Sequence, residues 1–73
     1  MPKLPRNVSQ ARAVRAFIRA GGKELRTRGK GSHRAVLMPN EAILILPVRL
    51  KTGLLADQIQ RANMTVEEFI EKL

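Results

Sequence analysis

The chain is expected to fold as a single α+β domain of order α-β-β-β-α with a short final helix, its two principal helices on one face of a three-stranded antiparallel sheet. Three observations predict this. Apolar residues recur at helical spacing in two separated stretches, near residues 9–20 and 52–62. Between them lie three strand-length segments divided by glycine, proline and asparagine. A chain of 73 residues, 44% of them hydrophobic, has material for one core and not for two.

Residues 1–8 contain Pro2 and Pro5 and no periodicity, so they read as a flexible arm, and the domain is expected over residues 9–73. Ser9 is a natural N-cap. Behind it Ala11, Val14, Phe17 and Ile18 share one face, Arg12, Arg15 and Arg19 share another, and Gly21 with Gly22 ends the helix. A solvated face is the ordinary reason for such an arginine stripe. Residues 23–28 alternate around Leu25, which places Arg26 and Arg28 on one side of a first strand. Residues 29–32 make a tight connection and residues 33–38 a second strand. Pro39, Asn40 and Glu41 form a hairpin turn, and residues 42–46 a third strand whose unbroken apolar run predicts burial on both faces. Pro47 closes the sheet. Leu54, Leu55, Ile59 and Ala62 then define the inner face of a second helix with Asn63 as its C-cap. Thr65 and Glu68 have the form of a capping box, ahead of a last helix carrying Val66, Phe69, Ile70 and Leu73. Packed in the simplest way, this order is the double-stranded RNA-binding-like arrangement, with the far face of the sheet left to solvent or to a partner.

With two Phe and no Trp or Tyr, the core is expected to rest on Leu, Ile, Val and Ala, with Phe17, Phe69, Met38 and Met64 inside it. The absence of cysteine excludes a disulfide framework, zinc ribbons and cysteine nucleophiles. No stretch has the length of a signal-peptide core or a membrane span, so a cytoplasmic protein without membrane association is expected.

Charge is distributed unevenly. Residues 1–34 hold ten Lys or Arg against Glu24 alone, a net of +9, whereas residues 35–73 hold four against five acids, a net of −1. A one-sided field of this kind attracts polyanions and gains affinity by releasing counterions from a phosphate backbone. His33, the one histidine, stands after Gly29-Lys30-Gly31-Ser32 and among Arg28, Lys30 and Arg34. Its setting suits phosphate chemistry. RNA strand cleavage needs the ribose 2′-hydroxyl deprotonated, the leaving 5′-oxygen protonated and the charge on phosphorus stabilised. Imidazole performs either proton transfer near neutrality, while guanidinium and ammonium groups hold the charge. His33 is therefore the candidate catalytic residue, and Arg26, Arg28, Lys30, Ser32 and Arg34 are candidate RNA-binding residues. No cofactor or metal is called for. The glycines at 29 and 31 are a turn before they are a phosphate cradle, and neither the spacing nor the following helix of a nucleotide P-loop is present. Helix solubility accounts for Asp57, Glu67, Glu68 and Glu71.

Gly21-Gly22, Arg28 and Gly31-Ser32-His33, in this order, resemble the glycine, basic-strand and Gly-Ser-His signature of HicA toxins. Leu46-Pro47-Val48 resembles that family's Val-Pro-Val strand end, and residues 61–69 resemble its Gln-Ala-Gly-Leu-Ser-Leu-Glu-Glu-Phe ending. The resemblance spans nearly all of residues 9–73. It implies a metal-independent messenger RNA interferase with a double-stranded RNA-binding-like fold, held inactive by a HicB-like antitoxin, with the family histidine at His33. Any contact with DNA is implied only through the antitoxin. Some positions differ: Gly22 and Lys23 replace a frequent aromatic, Arg34 a frequent second histidine, and Arg49 stands near the place of another. Either His33 serves both proton steps or another group, such as water, shares them. A noncatalytic RNA-binding module using the same basic surface, with Arg12, Arg15 and Arg19 on phosphates, is the alternative.

Overall fold

A computed structural model describes residues 3–26 and 32–73. Its elements are α1 (Gln10–Arg19), β1 (Lys23–Leu25), β2 (Arg34–Leu37), β3 (Ile43–Leu46), α2 (Thr52–Arg61) and α3 (Val66–Lys72). The strands form one antiparallel sheet in the order β1-β2-β3, with Leu25 opposite Ala35 and Val36 opposite Leu44. The α+β class and the sequence of elements agree with the expectation. The first strand, expected to run to residue 28, is observed over Lys23–Leu25, and the segment from Thr27 to Gly31 lies outside the described residues.

Because strand side chains alternate, Val36, Leu44 and Leu46 share one face of the sheet, and all three are fully buried. They join Ala13, Val14, Ala16 and Phe17 of α1, Leu55 and Ile59 of α2 and Phe69 of α3 in one core. At its centre the Phe17 and Phe69 rings meet in a tilted arrangement, centroids 5.0 Å apart. Burying each ring contributes about 1.5–3 kcal/mol, so these contacts outweigh any surface ion pair in the molecule. Val8 is buried as well and Leu4 packs against the core, so residues 3–8 of the N-terminal arm are anchored although they form no helix or strand.

The sequence misplaces two apolar groups. Ala11 and Ile18 were assigned to the inner face of α1, yet Ala11 is exposed and Ile18 is 42% exposed, while Ala13 and Ala16 are buried. The two alanines let α1 lie close to the sheet, which turns Ile18 outward. The third strand is not buried on both faces. Ile43 and Ile45 are 49% and 43% exposed, because all the helices that contact the sheet meet the Leu44–Leu46 side and, among the described residues, no element covers the other. The half-buried Leu25 and Leu37 and the buried Ala35 share that face with them, and the exposed Ile43 and Ile45 are an apolar feature of the kind that marks an interaction site.

The helix ends explain the turns. Ser9 caps α1, its hydroxyl accepting from the Arg12 amide at 3.1 Å. At the other end the Gly21 amide donates to Ile18 O and the Gly22 amide to Phe17 O, both at 2.9 Å, which is a Schellman closure. Gly21 has φ +103°, where glycine alone is unstrained. Gly22 is needed for a different reason: a Cβ there would lie 2.7–2.8 Å from Met38 Sδ, Val36 Cγ1 and Phe17 O. The same closure ends α2, with Asn63 at φ 58° one residue past the C-cap Ala62. Glu41 takes φ 72° in the hairpin turn, where the Asn40 carboxamide oxygen accepts from the Ala42 amide at 3.2 Å. The expected capping box of Thr65 and Glu68 is present, with hydrogen bonds of 3.0 and 3.1 Å.

Gly22→Ala is expected to cost about 1–3 kcal/mol by overpacking, since one of the three colliding atoms is backbone. Urea denaturation checks this, with a lowered midpoint and an unchanged slope as the expected result.

Candidate functional site

β2 begins where the basic half of the chain meets the sheet. Ser32 and His33 are exposed and immediately precede it, and Arg34 is its first residue. Leu25 is opposite Ala35, so Arg26 leaves the ladder at the same end of the sheet at which Arg34 enters it. The structure thus brings Arg26, Ser32, His33 and Arg34 to one end of the sheet. Arg28 and Lys30, also expected to bind RNA, lie outside the described residues.

The position of this end is set by a residue that sequence reasoning passed over. Gln10, the first residue of α1, donates from Nε2 to Ser32 O and to Leu46 O, each at 2.7 Å. One amide therefore ties the segment entering β2 and the end of β3 to the start of α1. The partners are 22 and 36 residues away, and no local spacing reveals them. The same contact sets the amino end of α1, which bears partial positive charge and has no acidic residue in its first turn, next to Ser32. That adds to the attraction of the site for an anion.

Ser32 Oγ lies 3.2 Å from His33 Nδ1. The contact couples the hydroxyl to the tautomer of the ring. When Nδ1 carries the proton and donates to Oγ, Nε2 has a lone pair and is able to act as a base; when Oγ donates to Nδ1, Nε2 carries the proton.

Arg34, a candidate RNA-binding residue, is held by an acid of the neighbouring strand. Its Nε and Nη2 donate to the two carboxylate oxygens of Glu24 at 2.7 and 2.8 Å, a bidentate pair. Glu24 lies across the ladder from Val36, so the pair is a diagonal cross-strand contact on the helix side of the sheet. The signal was available, since Glu24 is the one acid among the first 34 residues. The hydrogen bond from Arg34 holds the Glu24 carboxyl below its ordinary range, with burial opposing and the charge of Arg34 assisting. The same bond raises the affinity of Arg34 for its proton. Beside the pair, Arg15 of α1 and Arg34 line a groove on the helix side of the sheet.

A larger cavity than this groove, about 420 Å³, is elsewhere. It opens at the opposite end of the sheet, among Arg19, Met38, Asn40, Met64 and Lys72. Among the described residues no three His, Cys, Asp or Glu side chains cluster as metal ligands, and no helix is long and apolar enough to cross a membrane. Comparison of the chain with protein-family models, with curated proteins and with solved structures finds no match.

A carboxylate whose pKa is depressed by folding stabilises the protein above its unfolded pKa, and that contribution is lost as pH falls through the lower folded value. Both side chains of the Glu24–Arg34 pair are about one-third exposed, so solvent screening limits the pair to under about 1 kcal/mol. Glu24→Gln is expected to lower stability by that small amount at neutral pH. Denaturation curves compared with the parent across pH are expected to converge as the pH drops below the carboxylate range.

Proposed function

We propose that this chain is a HicA-like messenger RNA interferase, a cytoplasmic metal-independent endoribonuclease with a double-stranded RNA-binding-like fold and His33 as its catalytic residue. The observation that carries this reading is the exposed His33 at the end of the sheet where Arg26 and Arg34 converge and the amino end of α1 is tied in. The element order and the helices on one side of the sheet support it, as does the +9 charge of residues 1–34.

In the proposed mechanism RNA is drawn in by the basic half of the chain, with Arg26, Arg28, Lys30, Ser32 and Arg34 on its backbone. His33 takes the proton of a ribose 2′-hydroxyl, and the 2′-oxygen forms a bond to the adjacent phosphorus. The bond from phosphorus to the 5′-oxygen breaks, and that oxygen leaves with a proton from the imidazolium or from water. The products are a 2′,3′-cyclic phosphate and a 5′-hydroxyl. Ser32 Oγ, by its contact with Nδ1, biases which ring nitrogen is available for the first step. The guanidinium groups stabilise charge on the phosphate throughout.

The proposed regulator is a HicB-like antitoxin. An acidic partner with an apolar docking face would meet both the basic half and the exposed Ile43 and Ile45. Contact with DNA is assigned to that partner alone. One observation favours the noncatalytic alternative: Glu24 offsets the charge of Arg34, which leaves fewer cations beside a lone histidine.

The test is incubation of the purified protein and its His33→Ala variant with labelled messenger RNA in EDTA. Positioned proton transfer accounts for about 10²–10⁴-fold in rate, so cleavage by the parent and a loss of that order in the variant is the expected result. RNA cut equally by both removes His33 from the reaction. RNA bound but left intact by both points to the noncatalytic module.

A further inference from the structure

Apart from Arg34, the groove on the helix side of the sheet is lined by residues that the His33 reading does not use. Ala11, Val14, Arg15 and Ile18 of α1 and Arg34 of β2 line about 240 Å³. That is below the roughly 300–1,000 Å³ of small-molecule pockets, and it suits a fragment of a polymer rather than a whole cofactor. Its two cations differ. Arg34 is fixed in orientation by Glu24, and the pair uses Nε and Nη2 but not Nη1. Arg15 is exposed and forms no ion pair among the described residues. Beside them stands Ile18, an outward-turned side chain 42% exposed. Two guanidinium groups beside an apolar wall match a sugar-phosphate unit, with anionic oxygens for the cations and a ribose or base face for the isoleucine.

Arg34 follows His33 directly, and consecutive Cα atoms are about 3.8 Å apart, so one wall of the groove is the residue next in sequence to the candidate catalytic residue. We propose that this groove is a second RNA-binding subsite, which takes a backbone phosphate and its ribose near the one presented to His33. The inference rests on the RNA-binding reading above and deepens it. Arg15, on the exposed arginine stripe of α1, becomes a residue that sets how far the bound strand extends. Glu24 becomes a positioning residue that holds Arg34 while Arg15 supplies the uncompensated charge.

The experiment measures binding of the full chain to a short, single-stranded 2′-O-methyl RNA, which lacks the 2′-hydroxyl nucleophile, by fluorescence anisotropy over a range of KCl concentrations. Each single-strand phosphate contact contributes about 0.7 to the slope of log affinity against log salt. Arg15→Gln is expected to flatten the slope by about that amount and to weaken binding several-fold at low salt. Arg15→Lys is expected to keep the slope, because it keeps the charge. Arg61→Gln makes the same change of charge at the carboxyl end of α2 and is expected to leave the slope as it was. Since Arg15 and Arg61 are both exposed, the folds of the variants are expected to survive, and thermal denaturation checks this. If Arg15→Gln matches Arg61→Gln in slope and affinity, the subsite is overturned while the RNA-binding reading stands. If the parent binds the RNA without salt dependence, or does not bind it, both fall. Binding with an Arg15-dependent slope in a protein that cuts no RNA upholds the subsite and removes only the catalytic step.

Discussion

Everything in this small domain depends on the close packing of α1 against the sheet. Ala13 and Ala16 let the helix approach, Phe17 enters between the sheet and Phe69, and Val36, Leu44 and Leu46 complete the contact. The glycine pair after α1 follows from the same constraint. Gly21 reverses the chain at a positive φ, and Gly22 has no side chain because β2 passes where one would stand. The first strand is thereby placed beside the second, and Glu24 is brought to Arg34. Polar contacts then fix the periphery: Gln58, buried on α2, accepts from the Ile45 amide at the edge of β3, and Arg19 reaches the Lys72 carbonyl at the end of α3.

The candidate site is a consequence of this packing rather than an addition to it. Once α1 lies on the sheet, its first residue is within reach of both Ser32 and Leu46, and the Gln10 amide donates to both carbonyls. The positive end of the helix, Arg26, Arg34 and His33 then share one end of the molecule. On the sheet's other face Ile43 and Ile45 are exposed among the described residues. In the proposed reading these are the substrate side and the partner side of one regulated nuclease.

How much of this was legible in the sequence depends on range. Features governed by a few neighbouring residues were readable: the Ser9 and Thr65 caps, the Gly21 reversal, the hairpin turn at Pro39-Asn40-Glu41 and the exposed arginine stripe. Features set by which face meets which element were not. Ile18 and Ala16 both fit a helical apolar pattern, and the close approach of the sheet decides which is buried. Ile43 and Ile45 read as core because an apolar run carries no record of whether a second layer exists. In the site, the clustering of Ser32, His33 and Arg34 was evident from adjacency, whereas the clamp from Gln10 and the groove shared by Arg15 and Arg34 arise between distant segments. The readings at Arg28 and Lys30 fall outside the described residues.

In the proposed reading RNA is cut through its own 2′-hydroxyl with His33 moving the protons. The most direct measurement compares an RNA with the same strand carrying a single 2′-deoxy residue at the mapped cleavage position, in EDTA, with the product ends identified by mass spectrometry. A 2′,3′-cyclic phosphate is expected from the first and no cut at that position in the second. Cleavage that persists at the deoxy position, or a product ending in a 3′-hydroxyl, would contradict it.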